Sequence, residues 1–272
     1  MAKRTNRWTE DKIVRYYVEG RGNGELSNYK PWLTIQDVPS TGRVHRLKGW
    51  KTNRIHHLLS DLERDYFYLL DWTEDVIDIR EQYPLDREKT VQIAEKKQIN
   101  HPVDSTTRTP IVCTTDFLVT IRKGKEILHI ARTIKPHEKL NDKRVIEKFE
   151  IERQYWADSN VDWGIVTELD LPKETCKNIG WIHSWYHIEE KDIDLAFTLY
   201  DYIIDREVLI LDILKAFDNH YACEAGTAIT LLKYLIAHKY IGLDMEKPFN
   251  LRATIPSLSF NLSNKHKERL IK

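Results

Sequence analysis

The chain has little cysteine and no cysteine framework. Cys113, Cys176 and Cys223 are odd in number, far apart and never in a C-x-x-C pair. That excludes a zinc ribbon or a disulfide scaffold and suits a reduced cytoplasm. Long apolar runs are missing too: none reaches the roughly 18–20 residues that cross a bilayer, so no membrane partner is expected. The basic start, Met1-Ala2-Lys3-Arg4-Thr5, has no apolar stretch behind it, so no secretory signal is expected. No internal repeat or low-complexity tract is present. Net charge is absent as well, with 42 Lys and Arg against 42 Asp and Glu.

Evenly spread, that balance would argue against a nucleic-acid partner, but the charge is polarised. Residues 1–55 carry 12 Lys/Arg against 5 Asp/Glu, an excess of seven positive charges. Such an arm either neutralises backbone phosphates or is simply a solvated extension. Arg43, Arg46, Lys48, Lys51 and Arg54 are its candidate DNA contacts, with Lys3, Arg4 and Arg7 further out. Its aromatics, among them Trp8, Tyr16, Tyr17, Trp32 and Trp50, need surface to pack on, so the arm is expected to wrap a core.

With 272 residues the chain is near the limit for one hydrophobic core, and two domains are expected. Periodicity predicts helices near 8–18, 58–72 and 139–157, and strands near 75–81, 111–121, 127–135 and 163–167. Mixed strands flanked by helices read as an α/β domain over 1–170. Residues 171–272 are mostly helical over 185–238, with strand-like pieces near 240–245 and 248–249, a pattern that suits a winged-helix-type module. The charged end around Lys265-His266-Lys267 reads as a fraying tail.

The chemistry is carried by charged residues in otherwise apolar elements. If Lys123-Gly124-Lys125-Glu126 is a turn, Arg122 faces Ile127, Asp116 lies opposite Thr133, and Lys135 follows on the same face. Phe117, Val119, Ile121, Ile130 and Ile134 form the opposite, packed face. Glu152 interrupts the stripe Val145, Phe149, Trp156, and Glu63 edges the stripe Leu59, Leu62, Tyr66, Leu69. A carboxylate at such a position is costly unless paired or metal-bound. Each also has a plainer reading. Ser60-Asp61-Leu62-Glu63 matches a helix capping box, Asp116 with Lys135 a cross-strand salt bridge, and Glu152 has Lys148 and Arg153 nearby. Together, a helix Glu, a strand Asp and a strand Lys 19 residues later follow the order of the PD-(D/E)xK nucleases.

The run Arg54-Ile55-His56-His57-Leu58-Leu59-Ser60-Asp61-Leu62-Glu63 resembles the TnsA family of transposition endonucleases. So do Pro31-Trp32-Leu33-Thr34, Asp78-Ile79-Arg80-Glu81-Gln82-Tyr83-Pro84-Leu85, Thr115-Asp116-Phe117-Leu118-Val119, Lys135-Pro136 and Glu152-Arg153-Gln154-Tyr155-Trp156. This resemblance is specific over 1–170; beyond it only the general helical and winged pattern agrees. It implies a restriction-endonuclease-like mixed-sheet core joined to a winged-helix domain. It also implies Mg²⁺-dependent hydrolysis of one strand at the 5′ ends of a mobile element, with Mn²⁺ as a substitute ion. The implied partners are double-stranded DNA at transposon ends, a TnsB-type transposase and a TnsC-type AAA+ ATPase. Glu63 and Asp116 would ligate metal with the Ile134 carbonyl, Lys135 would be the catalytic lysine, and Glu152 a candidate further ligand. One departure stands out: the position two before the lysine, usually Glu or Gln in the family, is Thr133. A stand-alone restriction- or resolvase-type nuclease, or a non-catalytic DNA-binding adaptor with a degenerate core, are the competing readings. Thr133 is the best support for the last.

Overall fold

Four strands make the central sheet of a computed structural model, which describes residues 7–38 and 42–261. Lys3, Arg4 and the charged tail near Lys265 lie outside the described residues. The chain divides into two compact units, Met1–Leu171 and Pro172–Lys272.

The first unit opens with α1 (Glu10–Val18), capped by the Thr9 hydroxyl, which accepts from Lys12 N–H. Its inner face, Ile13 and Tyr16, packs on Trp32 and Val112. The basic arm is therefore built into the core, as its aromatics require. It also contains a two-stranded ribbon that periodicity does not reveal, β1 (His45–Lys48) with β2 (Ile55–Leu58). Neither His45-Arg46-Leu47-Lys48 nor Ile55-His56-His57-Leu58 alternates strictly between apolar and polar residues. Helix α2 (Asp61–Trp72) starts directly after this ribbon, so Leu58 ends a strand and does not begin the helix.

β3 (Val76–Pro84), β4 (Thr114–Lys123), β5 (Glu126–Ile134) and β6 (Asp162–Val166) follow in that order across the sheet. The first three are antiparallel and β6 joins β5 in parallel, so the sheet is mixed. Helix α3 (Arg87–Lys96) fills the crossover from β3 to β4, and α4 (Lys143–Asp158) that from β5 to β6. Ile93 and Ala94 of α3 pack on Ile151 of α4. Arg122 pairs with Ile127, as the sequence predicts, and the pairing runs on to Lys123 with Glu126, leaving a turn of two residues, not four. Gly124 there has φ +64°, a left-handed conformation that glycine adopts at no steric cost. The expectation that only one face of this hairpin is packed does not hold. Leu118 and Ala131, on the face opposite Phe117, are buried against Trp156 of α4. A mixed sheet with crossover helices is covered on both sides.

The second unit comprises α5 (Lys173–His183), α6 (Glu190–Ile203), α7 (Ile210–His220) and α8 (Thr227–Ala237). A small ribbon, β7 (Ile241–Gly242) with β8 (Ser259–Phe260), completes it. The second strand of the ribbon thus lies at 259–260; the stretch near 248–249 expected to form one is irregular. Among the described residues no helix is long and apolar enough to cross a membrane.

Candidate active site

The helix Glu comes first. Ser60 caps α2: its hydroxyl accepts from Glu63 N–H at 3.1 Å and donates to Glu63 Oε1 at 3.0 Å. Glu63 Oε2 accepts from Leu59 N–H at 2.9 Å. The capping reading is therefore correct as far as it goes, yet the same carboxylate also faces a second acid. Burial, and next the charge of Asp116, push Glu63 up to about 8.

Asp116 lies in β4 and is pinned from both neighbouring strands. Gln82 Nε2 of β3 donates to Oδ1 at 3.3 Å, and Ile134 N–H of β5 donates to Oδ2 at 2.7 Å. Burial raises the Asp116 pKa, opposed by the Ile134 bond, by Lys135 and by Gln82. In an extended strand the N–H and C=O of one residue leave on the same side. The Ile134 carbonyl thus shares the edge that faces Asp116. Lys135 follows β5, its own N–H held by the Val166 carbonyl at 3.0 Å. Its ammonium feels the charge of Asp116 without forming a direct ion pair with it among the described residues. The structure therefore brings Glu63, Asp116, Lys135 and the Ile134 carbonyl edge to one region.

Glu152 sits on the α4 side of the same strands. Thr115 Oγ1 donates to its Oε1 at 2.6 Å, and Thr133 Oγ1 donates to the same oxygen. Trp156 and Trp163 donate in turn to those hydroxyls, at 2.7 and 3.2 Å. Burial raises Glu152 to about 7, with the threonine bonds working against burial and Asp116 reinforcing it. Neither suggested ion pair forms: Arg153 binds Glu150, and Lys148 is exposed. Thr133, at the position two before the lysine, thus holds a carboxylate.

The basic residues divide. Arg46 and Lys48 lie on one exposed face of the β1–β2 ribbon, opposite His57 and Ile55, and Arg43 precedes them, exposed. Lys51 is half-buried. Arg54, expected to meet phosphate, is turned inward: its side chain is 8% exposed and grips Glu81 with both terminal nitrogens, at 2.8 and 2.5 Å. His56 is likewise buried, its Nδ1 at 2.8 Å from Glu81 Oε2 and its Nε2 at 2.7 Å from Thr52 Oγ1. Burial alone would push Glu81 up, but His56 and Arg54 outweigh it and hold the carboxyl well below the usual carboxylate range. Glu81 is the group sequence reasoning missed as the hub that ties the ribbon, and so the start of α2, to the sheet. Its one signal was a glutamate inside an otherwise buried strand.

The donor set fits a hard divalent cation: two carboxylates and a backbone oxygen, all hard oxygen donors, with the charge of Asp116 disfavouring that of Glu63. Among the described residues, no three His, Cys, Asp or Glu side chains gather as a metal cluster.

Two family models place this architecture among transposon endonucleases: TnsA-like endonuclease N terminal over residues 73–168, and TnsA endonuclease C terminal over 170–245. The Transposon Tn7 transposition protein TnsA of Escherichia coli is 38% identical over 253 residues, 92% of this chain and 91% of that protein. The chain belongs to the TnsA family and is the endonuclease subunit of a transposase. The family match extends through the second unit to residue 245, beyond the region in which sequence reading alone found specific resemblance.

Proposed function

We propose that the protein hydrolyses one DNA strand at each 5′ end of its mobile element with Mg²⁺ bound by Glu63, Asp116 and the Ile134 carbonyl. The observation that carries this reading is the approach of two carboxylates, on α2 and β4, close enough for the charge of Asp116 to disfavour that of Glu63. When bound, a divalent cation supplies charge neutralisation at the scissile phosphate and makes nearby water more acidic. Lys135, close enough to Asp116 to feel its charge, orients or deprotonates the attacking water and steadies the developing negative charge. Thr115 and Thr133 hold Glu152 behind Asp116, where it serves as a proton-holding acid or as a further ligand.

In this reading Met1–Leu171 is a restriction-endonuclease-like domain and Pro172–Lys272 a winged-helix-type domain, the latter supported by four helices followed by a two-stranded ribbon. Arg43, Arg46, Lys48 and Lys51 meet backbone phosphates, while Arg54 shapes the ribbon that presents them. The partners are double-stranded DNA at the element ends, a TnsB-type transposase and a TnsC-type ATPase. Asp116→Ala is expected to abolish Mg²⁺-dependent cleavage at element ends in the assembled complex while the melting curve shows a folded protein. Undiminished cleavage by that variant rejects the site.

A further inference from the structure

The two-residue alternation of β4 breaks at Asp116. Phe117 points to α2, where its ring meets Tyr66 edge-on at 5.5 Å. Thr115 should share that side, yet its hydroxyl bonds Glu152 and Trp156 of α4, on the side where Leu118 packs. The neighbouring strand breaks at the matching place. The β3–β4 ladder pairs Glu81 with Phe117 and Tyr83 with Thr115, and passes over Gln82 and Asp116. Gln82 has φ 49°, in the left-handed region that non-glycine residues rarely adopt. Such a conformation persists where the surroundings over-determine it. Here they do: the Gln82 carbonyl accepts from Trp32 N–H at 3.2 Å, and the side chain is buried.

What the distortion achieves is the aim of one amide. Gln82 Nε2 donates to Asp116 Oδ1 at 3.3 Å, while Gln82 Oε1 accepts from the Thr114 hydroxyl at 3.3 Å. With Ile134 N–H on Oδ2, each Asp116 oxygen has one fixed donor, from opposite strands, and lone pairs remaining. A lysine or arginine in that place would also orient the carboxylate, but it would cancel the charge. A neutral amide fixes the plane and leaves the negative charge intact.

We propose that Gln82 is a positioning residue of the nuclease site: held left-handed by Trp32 and tethered by Thr114, its carboxamide sets the rotation of the Asp116 carboxylate for divalent-cation binding. This rests on the reading of Asp116 as a metal ligand. The test is Mn²⁺ binding to the full-length protein by titration calorimetry, with the Mn²⁺-induced rise in melting temperature as a second readout. Gln82→Met keeps the length and removes the amide; it is expected to weaken Mn²⁺ binding by about tenfold or more, the usual scale for losing a partner of a ligand. Thr114→Val removes only the tether and is expected to weaken binding less than Gln82→Met does, with an unchanged metal-free melting curve. Should Gln82→Met fail to fold, Thr114→Val decides. If both variants bind Mn²⁺ as the unaltered protein does while Asp116→Ala does not, the role of Gln82 is overturned and Asp116 stands. If Asp116→Ala itself binds Mn²⁺ normally, the metal-ligand reading and this inference fall together.

Discussion

The two units of this chain bury different kinds of residue. Among the described residues, 15 buried polar or charged side chains lie in the first unit and three in the second, a contrast far larger than the ratio of their lengths. In the second unit Asn178 and Asp218 serve the backbone. The Asp218 carboxylate, for one, accepts from Gly226 N–H at 2.9 Å and Ala228 N–H at 2.8 Å at the start of α8. Its core is otherwise side chains such as Ile179, Ile203, Phe217 and Leu235, each fully buried. In the first unit Glu63, Asp78, Arg80, Glu81 and Glu152 are buried charges or acids whose placement costs stability unless each is paired. One unit is organised for packing; the other gives up packing to hold charge in fixed places.

The sharpest way to break this comparison is at Asp116, which has no ion pair among the described residues. Asp116→Ala is expected to lower cleavage in the assembled complex by ~10³-fold or more while leaving the unit folded, at the loss of two hydrogen bonds. A gel assay of 5′-end cutting checks this. Glu81 is the opposite case, a buried charge that is fully paired. Glu81→Gln leaves Arg54 and His56 without their acid and is expected to cost about 3–5 kcal/mol in urea unfolding.

Two carboxylates of the first unit, Glu81 and Glu63, predict opposite pH responses. The folded-state pKa of Glu81 lies below its unfolded value, so its stabilising contribution is complete above the unfolded carboxylate range, about 4.3, and is lost as pH falls through the folded value. Glu63 is raised to about 8, so its contribution is complete below about 4.3 and lost as pH rises through 8. Metal-free protein is therefore expected to lose melting temperature between about pH 4.3 and 8, with Glu152, raised to about 7, adding to the decline, and Glu63→Gln is expected to flatten it. A decline of equal steepness in the variant would assign it elsewhere.

Smaller effects sharpen the contrast from the other side. Asp218→Ala removes a helix cap and is expected to cost roughly 1–2 kcal/mol, with Mn²⁺ binding unchanged. Replacing Arg46 and Lys48 together by Ala is expected to reduce the salt dependence of DNA binding by about two contacts' worth, a slope change of ~1.8, with no effect on melting. Filter binding across a salt series measures it.

Much of the architecture was legible along the chain. The hairpin register, the strand position of Asp116, and the helix positions of Glu63 and Glu152 all follow from patterns of period 2 or 3.6, whereas Lys135, expected within the strand, lies one residue past its end. Helices α3 and α5 were not, because their apolar residues are few or irregularly spaced and the burial of Ile93 or Ile179 depends on partners distant in sequence. The inward turn of Arg54 was equally hidden: an arginine in a basic arm looks the same whether it faces solvent or a buried glutamate 27 residues away.

By itself the sequence determined most of the elements, which residues could carry nuclease chemistry, and the family. Tertiary structure alone decided what each charge meets. It paired Glu81 with Arg54 and His56, gave Glu152 to two threonines, and broke the alternation of β4 at Asp116 so that carboxylate and Gln82 amide face one another. The reason is physical. Periodicity reports local geometry, whereas the energy of a buried charge depends on neighbours that only the folded chain brings near.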